Sequence, residues 1–295
     1  VLILVDTLRA DHLGTYGYDR PVSPNLDALA SEAAVFENAY AAATWTLPSV
    51  ASMFTGLFPS QHDAGRPYED DRGEQFSVMR ADVRVFPEVL RARGYVTGAL
   101  VNAPFLHEGF GFARGFDDYD WAPASDSELR RADVTVDTAL AWLDEHADEQ
   151  FFLFVHVFDL HRHYDAPAPF RGRFTNQFGD PYAGTLDTLE SRDLAEDNLD
   201  WPFIVAAYDE EIAFVDAHLG RFFEGMRSRG ILDQSTVLLT SDHGEGFDEH
   251  GSSGHGHTLY NEMLRVPLMV WGPTVRAGRY EDPVSLVDLE PTILE

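Results

Sequence analysis

The chain opens on "VLILV", five apolar residues with no polar break, closed by Asp6. A run this short, apolar throughout, predicts a strand covered on both faces. Three further segments read the same way: "FFLFVHVF" (Phe151 to Phe158), "TVLLTSDHGE" (Thr236 to Glu245) and "RVPLMVWGP" (Arg265 to Pro273). Between them the apolar positions fall at helical spacing. "SPNLDALASEA" predicts a helix with Ser23 as N-cap and Pro24 at its first position. Pro48 to Phe54 predicts a short helix closed by Gly56, and "VFPEVLRARGYVTGALV" a helix, a break at Gly94 and a strand. Asp133 to His146 is an amphipathic helix leading into the Phe151 strand, and Pro202 to Arg229 holds a long helix stopped by Gly230. Arg171 to Asp200 is acidic and turn-rich, an excursion over the surface.

Strands alternating with helices predict an α/β fold with a mostly parallel sheet. The 295 residues carry no internal repeat and read as one domain whose main insertion spans about 160–201. No apolar run reaches the roughly 18–20 residues that span a bilayer. The first residues already read as a core strand, and the last, "DLEPTILE", as the first turn of a helix. The chain therefore reads as a piece of a longer protein, and a membrane tether supplied by other segments stays open.

Composition narrows the partners. The net charge is -29, from 50 acidic and 21 basic residues, and every basic residue is Arg. Such a surface resembles that of salt-adapted proteins and excludes nucleic acid, which needs basic surface. The many Asp and Glu outside the candidate site read as solvated surface. An anionic substrate needs a local positive centre, which makes a metal ion attractive. There is no Cys, so disulfides and thiolate sites are excluded.

In open α/β sheets, sites lie beyond the carboxyl ends of strands. Asp6 ends the first strand. "DLHRH" follows the Phe151 strand and offers Asp159, His161 and His163; "SDHGE" offers Asp242 and His243. "DEHGSSGHGH" adds His250, His255 and His257, of which His250 reads as structural. Carboxylates with imidazoles suit divalent ions such as Zn, Mn, Mg or Ca. Thr46, in "ATWTLPSVASMFTG", reads by itself as a helix N-cap.

The segments "VLILVDTLRADHLGTYGYDRPVSPNLDALA", "TLPSVASMFTG", "SDHGEGFDEHG", "TLYNEMLRVPLMVWGP" and "VSLVDLEPTILE" occur in order along nearly the whole chain. Together they resemble the N-terminal catalytic domain of the sulfatase family, within the alkaline phosphatase superfamily. The resemblance implies a three-layer sandwich, with a central mostly parallel sheet and helices on both faces. It also implies a metal at the strand ends, a nucleophile at the start of the "PS" helix, and a smaller C-terminal subdomain beyond this chain.

The departures are chemical. The family pattern is Cys or Ser, any residue, Pro, Ser, Arg; here it reads Thr46, Leu47, Pro48, Ser49, Val50. Thr carries a methyl on the carbon that would become an aldehyde, so it cannot yield formylglycine. The family's second acid is replaced by Thr7, and Gly256 stands at or near the expected Lys. A Thr nucleophile instead resembles the superfamily's phosphodiesterases and phosphoryl-group transferases. On that resemblance Asp6, Thr46, Asp242 and His243 form a first metal site. Asp159 and His163, with His255 or His257, would form a second. Aligned instead with the sulfatase pattern, His161 contacts the substrate anion and one metal suffices.

The resemblance thus implies a metal-dependent hydrolase or transferase acting on a small phosphate or sulfate ester, on a glycan or lipid head group for example. Thr46 would attack to give a covalent intermediate, helix amides near Ser49 would hold the anion, and a His, His161 or His257, would protonate the leaving oxygen. Phosphoester chemistry leads. The alternatives are a sulfuric ester hydrolase and a catalytically silent anion-binding member.

Overall fold

The computed structural model describes residues 1–70, 73–122, 130–178 and 201–295. Its strands are β1 (Leu2–Val5), β2 (Ala34–Tyr40), β3 (Pro67–Asp70), β4 (Gly73–Phe76), β5 (Val96–Val101), β6 (Asp118–Trp121), β7 (Phe151–Val157), β8 (Val237–Thr240), β9 (Gly246–Phe247), β10 (Ser253–Gly254), β11 (Arg265–Trp271), β12 (Gly278–Tyr280) and β13 (Val284–Ser285). Its helices are α1 (Pro24–Ala30), α2 (Thr46–Thr55), α3 (Pro59–His62), α4 (Phe86–Ala92), α5 (Ala132–His146), α6 (Trp201–Ser228), α7 (Asn261–Leu264) and α8 (Leu289–Leu294).

Among the described residues, nine strands form the central sheet in the order β12-β2-β11-β8-β1-β7-β5-β6, with β13 also on β2. Every pairing is parallel except those of β11 with β8 and β2. β1 lies in the middle and shows why its sequence is apolar without alternation. Ile3 and Val5 join one core with residues of α1, α5 and α6, such as Leu26, Val136 and Leu219. Leu2 and Leu4 join the other with residues of α2, α4 and α8, such as Val50, Phe86 and Leu289. Each fully buried side chain of this kind contributes about 1.5–3 kcal/mol. The three-layer sandwich is therefore as expected. Among the described residues, no helix is long and apolar enough to cross a membrane.

Two expectations need correction. Ser23 precedes α1 but does not cap it. Asp216 of α6 does so from outside, its carboxylate accepting from the amides of Asn25 (3.1 Å) and Leu26 (2.8 Å). Nor are all the acids solvated. Asp209, Glu210, Glu211 and Asp216 of α6 are buried. Each ties a different segment to the helix: Asp209 bonds His12 and Tyr18, Glu210 the amides of Gly172, Phe174 and Thr175, and Glu211 the amide of Asp165 and Arg131. Buried carboxylates are tolerated because each accepts several hydrogen bonds. Of the 160–201 insertion, residues 179–200 lie outside the described residues.

Candidate active site

β8, β1 and β7 are neighbours, so their carboxyl ends bring Ser241–His243, Asp6 and Asp159 to one edge of the sheet. Asp6 extends the ladder by one bond, its amide donating to Val157 at 2.9 Å. Thr7 then takes φ 57°, a left-handed conformation that is costly for a β-branched residue. Its hydroxyl donates to the Leu160 carbonyl (2.8 Å) and its own carbonyl accepts from the Tyr208 hydroxyl (2.8 Å). Thr7 is thus a turn residue, buried and fully bonded.

Asp6, Asp242 and His243 are all buried, and one ligand atom from each lies within 4.8 Å of the others. Among the described residues this is the group of three or more acid and imidazole ligands close enough for one ion. Its hydrogen bonding tests whether a cation fits. Nδ1 of His243 lies 2.8 Å from the Gly244 carbonyl, which can only accept, so Nδ1 carries the proton. The neutral ring then presents a lone pair at Nε2, 3.3 Å from Asp242 Oδ2 and 3.9 Å from Asp6 Oδ1. Both of those carboxylate oxygens are buried without a hydrogen-bond partner. Three electron-rich atoms converge with no proton among them, an arrangement that suits a divalent cation.

The two carboxylates respond oppositely to their surroundings. Burial would raise Asp6, but the hydrogen bond from His156 and the neighbouring imidazoles hold it below the usual carboxylate range. Asp242 is raised, by burial first and then by the charge of Asp6. Gly244 keeps the Asp242–His243 turn tight. Its amide donates to the Met263 carbonyl at 2.8 Å, and a Cβ there would come within 1.8 Å of the Glu262 carbonyl oxygen.

His156 is a residue that sequence reasoning missed. It stands inside β7, opposite Leu4 in register, and is fully buried. Its Nδ1 accepts from the Asn102 amide at 3.3 Å, so Nε2 carries the proton and donates to Asp6 Oδ2 at 3.3 Å. The signal available was one imidazole inside an otherwise apolar strand.

Thr46 is the first residue of α2, with Trp45 at the N-cap position. Its hydroxyl is not spent on a helix amide, contrary to the capping expectation. It lies 3.3 Å from Asp6 Oδ2 and 3.4 Å from His243 Nε2. The amide of Ser49 bonds the Trp45 carbonyl at 3.3 Å and Pro48 has none, so the helix amides left for an anion are those of Thr46 and Leu47, not those near Ser49. The Ser49 hydroxyl donates to the Asp242 carbonyl at 2.6 Å and ties α2 to the cluster.

The remaining candidates divide. The ring of His255 packs 4.5 Å from that of His243 and 5.1 Å from that of His161. His161 stacks on Phe158 at 4.5 Å. Burial, and the neighbouring His255, lower the pKa of His161. Burial also works against the charged form of His255, but the Glu245 carboxylate outweighs it and the pKa is raised. Asp159 is buried at the start of α5 instead, its Oδ1 accepting from the Ala132 amide (3.1 Å) and lying 3.6 Å from Arg131 Nε. Asp159, His163 and His255 stand outside the three-ligand group, and His163 and His257 are exposed. His250 stacks on Tyr260 at 3.6 Å and bonds Glu262 at 2.6 Å, a structural pairing.

The family model described as Sulfatase matches residues 1–295. The human protein described as N-sulphoglucosamine sulphohydrolase is 30% identical over 299 residues, which cover 96% of this chain and 57% of that protein. An arylsulfatase of Clostridium perfringens is 25% identical over 365 residues, covering 100% of this chain and 74% of its own. A sulfatase of Formosa agariphila is 24% identical, and this chain spans 64% of its length. Among solved structures, the phosphonate monoester hydrolase of Agrobacterium radiobacter superposes with a TM-score of 0.78 at 21% identity, covering 99% of this chain and 72% of that one.

Proposed function

The chain belongs to the sulfatase family, and from that premise we propose a metal-dependent hydrolase or transferase of phosphate or sulfate esters that uses Thr46 as its nucleophile. The observation that carries the reading is the Thr46 hydroxyl, free of any capping role and 3.3–3.4 Å from Asp6 and His243. Asp6, Asp242 and His243 would hold the ion, with Thr46 beside it. A divalent cation there would supply positive charge that favours the ionised hydroxyl and offsets the charge of the ester.

The protein's own groups account for the remaining steps. The Thr46 hydroxyl donates to Asp6 Oδ2 at rest, and its proton passes to water as the hydroxyl ionises. Oγ1 forms a bond to phosphorus or sulfur, and the bond to the leaving oxygen breaks with its electron pair. The Thr46 and Leu47 amides at the start of α2 face the anion's charge. His255, whose pKa is raised, gives a proton to the leaving oxygen. Exposed His257 is the weaker choice for that role. Water, or an acceptor alcohol, then cleaves the Thr46 ester.

Thr46 favours phosphorus, because it cannot become formylglycine. Sulfate is the second reading, favoured by the sulfatases among the relatives, and a sugar-borne ester fits the human relative named for N-sulphoglucosamine. The test is to assay the metal-loaded full-length protein on aryl sulfate, phosphate monoester and phosphodiester substrates side by side. Phosphoester turnover should dominate and should vanish in Thr46→Ala with metal content kept. Dominant sulfate turnover, or an active alanine variant, overturns the reading.

A further inference from the structure

Glu245 ends the turn that carries Asp242 and His243, and it is only 2% exposed. Its carboxylate is held by three donors from three segments: the Tyr164 hydroxyl (3.3 Å), the Gly246 amide (3.3 Å) and Nδ1 of His255 (3.3 and 3.4 Å). Two of these donors are neutral. Among the described residues, His255 is the one group at hydrogen-bond distance from this carboxylate that can carry positive charge. A carboxylate taken out of water is costly unless it is hydrogen-bonded and paired, so the contact with His255 accounts for its placement.

The backbone explains how they meet. β9 pairs with β10 so that Gly246 faces Gly254, which sets Glu245 and His255 side by side. His255 sits between two glycines in left-handed conformation, Gly254 (φ 76°) and Gly256 (φ 85°). No regular element fixes its ring; its contacts with Glu245 and with the rings of His243 and His161 do. A carboxylate only accepts, so Nδ1 of His255 carries a proton and Nε2 is left at the opposite edge of the ring. That ring packs against His243, beside the Thr46 hydroxyl.

We propose that Glu245 is a positioning residue that acts through His255, holding its Nδ1–H so that Nε2 is presented to the tetrahedral group bound next to Thr46. This deepens the proposed function and rests on it. Glu245 itself touches neither the substrate nor the reacting atoms.

The experiment uses the full chain loaded with its divalent ion and orthovanadate as the probe of tetrahedral anion binding. Calorimetric titration compares wild type, Glu245→Gln, His255→Ala and the double variant. Each single variant should weaken vanadate by about 10-fold, as loss of a supporting partner does elsewhere, and the double variant should be no weaker than His255→Ala. Multiplying losses, or an unaffected Glu245→Gln, overturn the proposal. A second readout needs no ligand. In ¹⁵N spectra His255 should show a protonated Nδ1 in wild type and in Tyr164→Phe, and lose that preference in Glu245→Gln. An unprotonated Nδ1 in wild type overturns the proposal, and a protonated one supports it even where vanadate does not bind. A protein that turns over none of the esters yet shows both signatures keeps the Glu245–His255 link and loses the ester reading. Ester turnover with multiplying losses does the reverse.

Discussion

His156 Nε2 donates to Asp6 Oδ2 at 3.3 Å, while Asp6 Oδ1 is left buried and without a hydrogen-bond partner. One oxygen is oriented by protein, and the other is the one a cation would take. Supporting contacts of this kind are worth roughly 10–100-fold in metal affinity. His156→Phe should therefore weaken the divalent ion by ~10–100-fold while Asp6, Asp242 and His243 are all retained. His156→Gln, which keeps a donor, should recover most of it. Equal affinities in wild type and His156→Phe, measured by competition with a chromophoric chelator, would remove His156 from the site.

The sequence carried the strand ends and hid what lies between them. Asp6, Asp242 and His243 stood out because each closes an apolar run, and parallel strands deliver such residues to one edge. Helix α2 and its closing Gly56 were legible from Pro and Gly alone. His156 was not, because its role depends on β7 lying beside β1, a pairing separated by about 150 residues that no local pattern encodes. β2, "AVFENAY", and β6, "DYDW", escaped for another reason: their half-buried faces mix polar residues into short runs without a continuous apolar stretch. The acids of α6 were misread because burial of a carboxylate depends on donors brought from loops far along the chain.

Behind the site, one guanidinium serves two buried carboxylates. Arg131 bonds Glu211 at 2.8 Å and lies 3.6 Å from Asp159. Burial, with the charge of Asp159 added to it, outweighs Arg131 and pushes the Glu211 carboxyl up to about 8 from its ordinary 4.5. The folded chain then holds a proton that the unfolded chain has released across that window. The contribution of Glu211 to stability should fall as pH rises from 4.5 to 8, with a slope of at most about 1.4 kcal/mol per pH unit. Glu211→Gln should flatten the curve there and gain on wild type toward pH 8. Urea unfolding at several pH values tests it. Parallel curves for the two proteins would mean that Glu211 is already ionised near neutrality.

Asp6 and Asp242 give a prediction whose sign depends on the ion. Without metal, two buried carboxylates and the lone pair of His243 face one another, so neutralising one of them relieves repulsion. Asp242, whose carboxyl is raised by burial and by Asp6, is the one to neutralise: Asp242→Asn should be more stable than wild type in the presence of a strong chelator. With the ion at ~100 times its dissociation constant, wild type gains about 2.7 kcal/mol from binding and the variant, which has lost a ligand, gains little. The order of the two melting temperatures should reverse between the two conditions. A carboxylate kept only for the fold would make Asp242→Asn the weaker protein in both. One placed for a cation makes it the stronger protein until metal is added. Thermal unfolding of both proteins, first in chelator and then in Mn²⁺ or Zn²⁺, separates these cases without any assay of turnover.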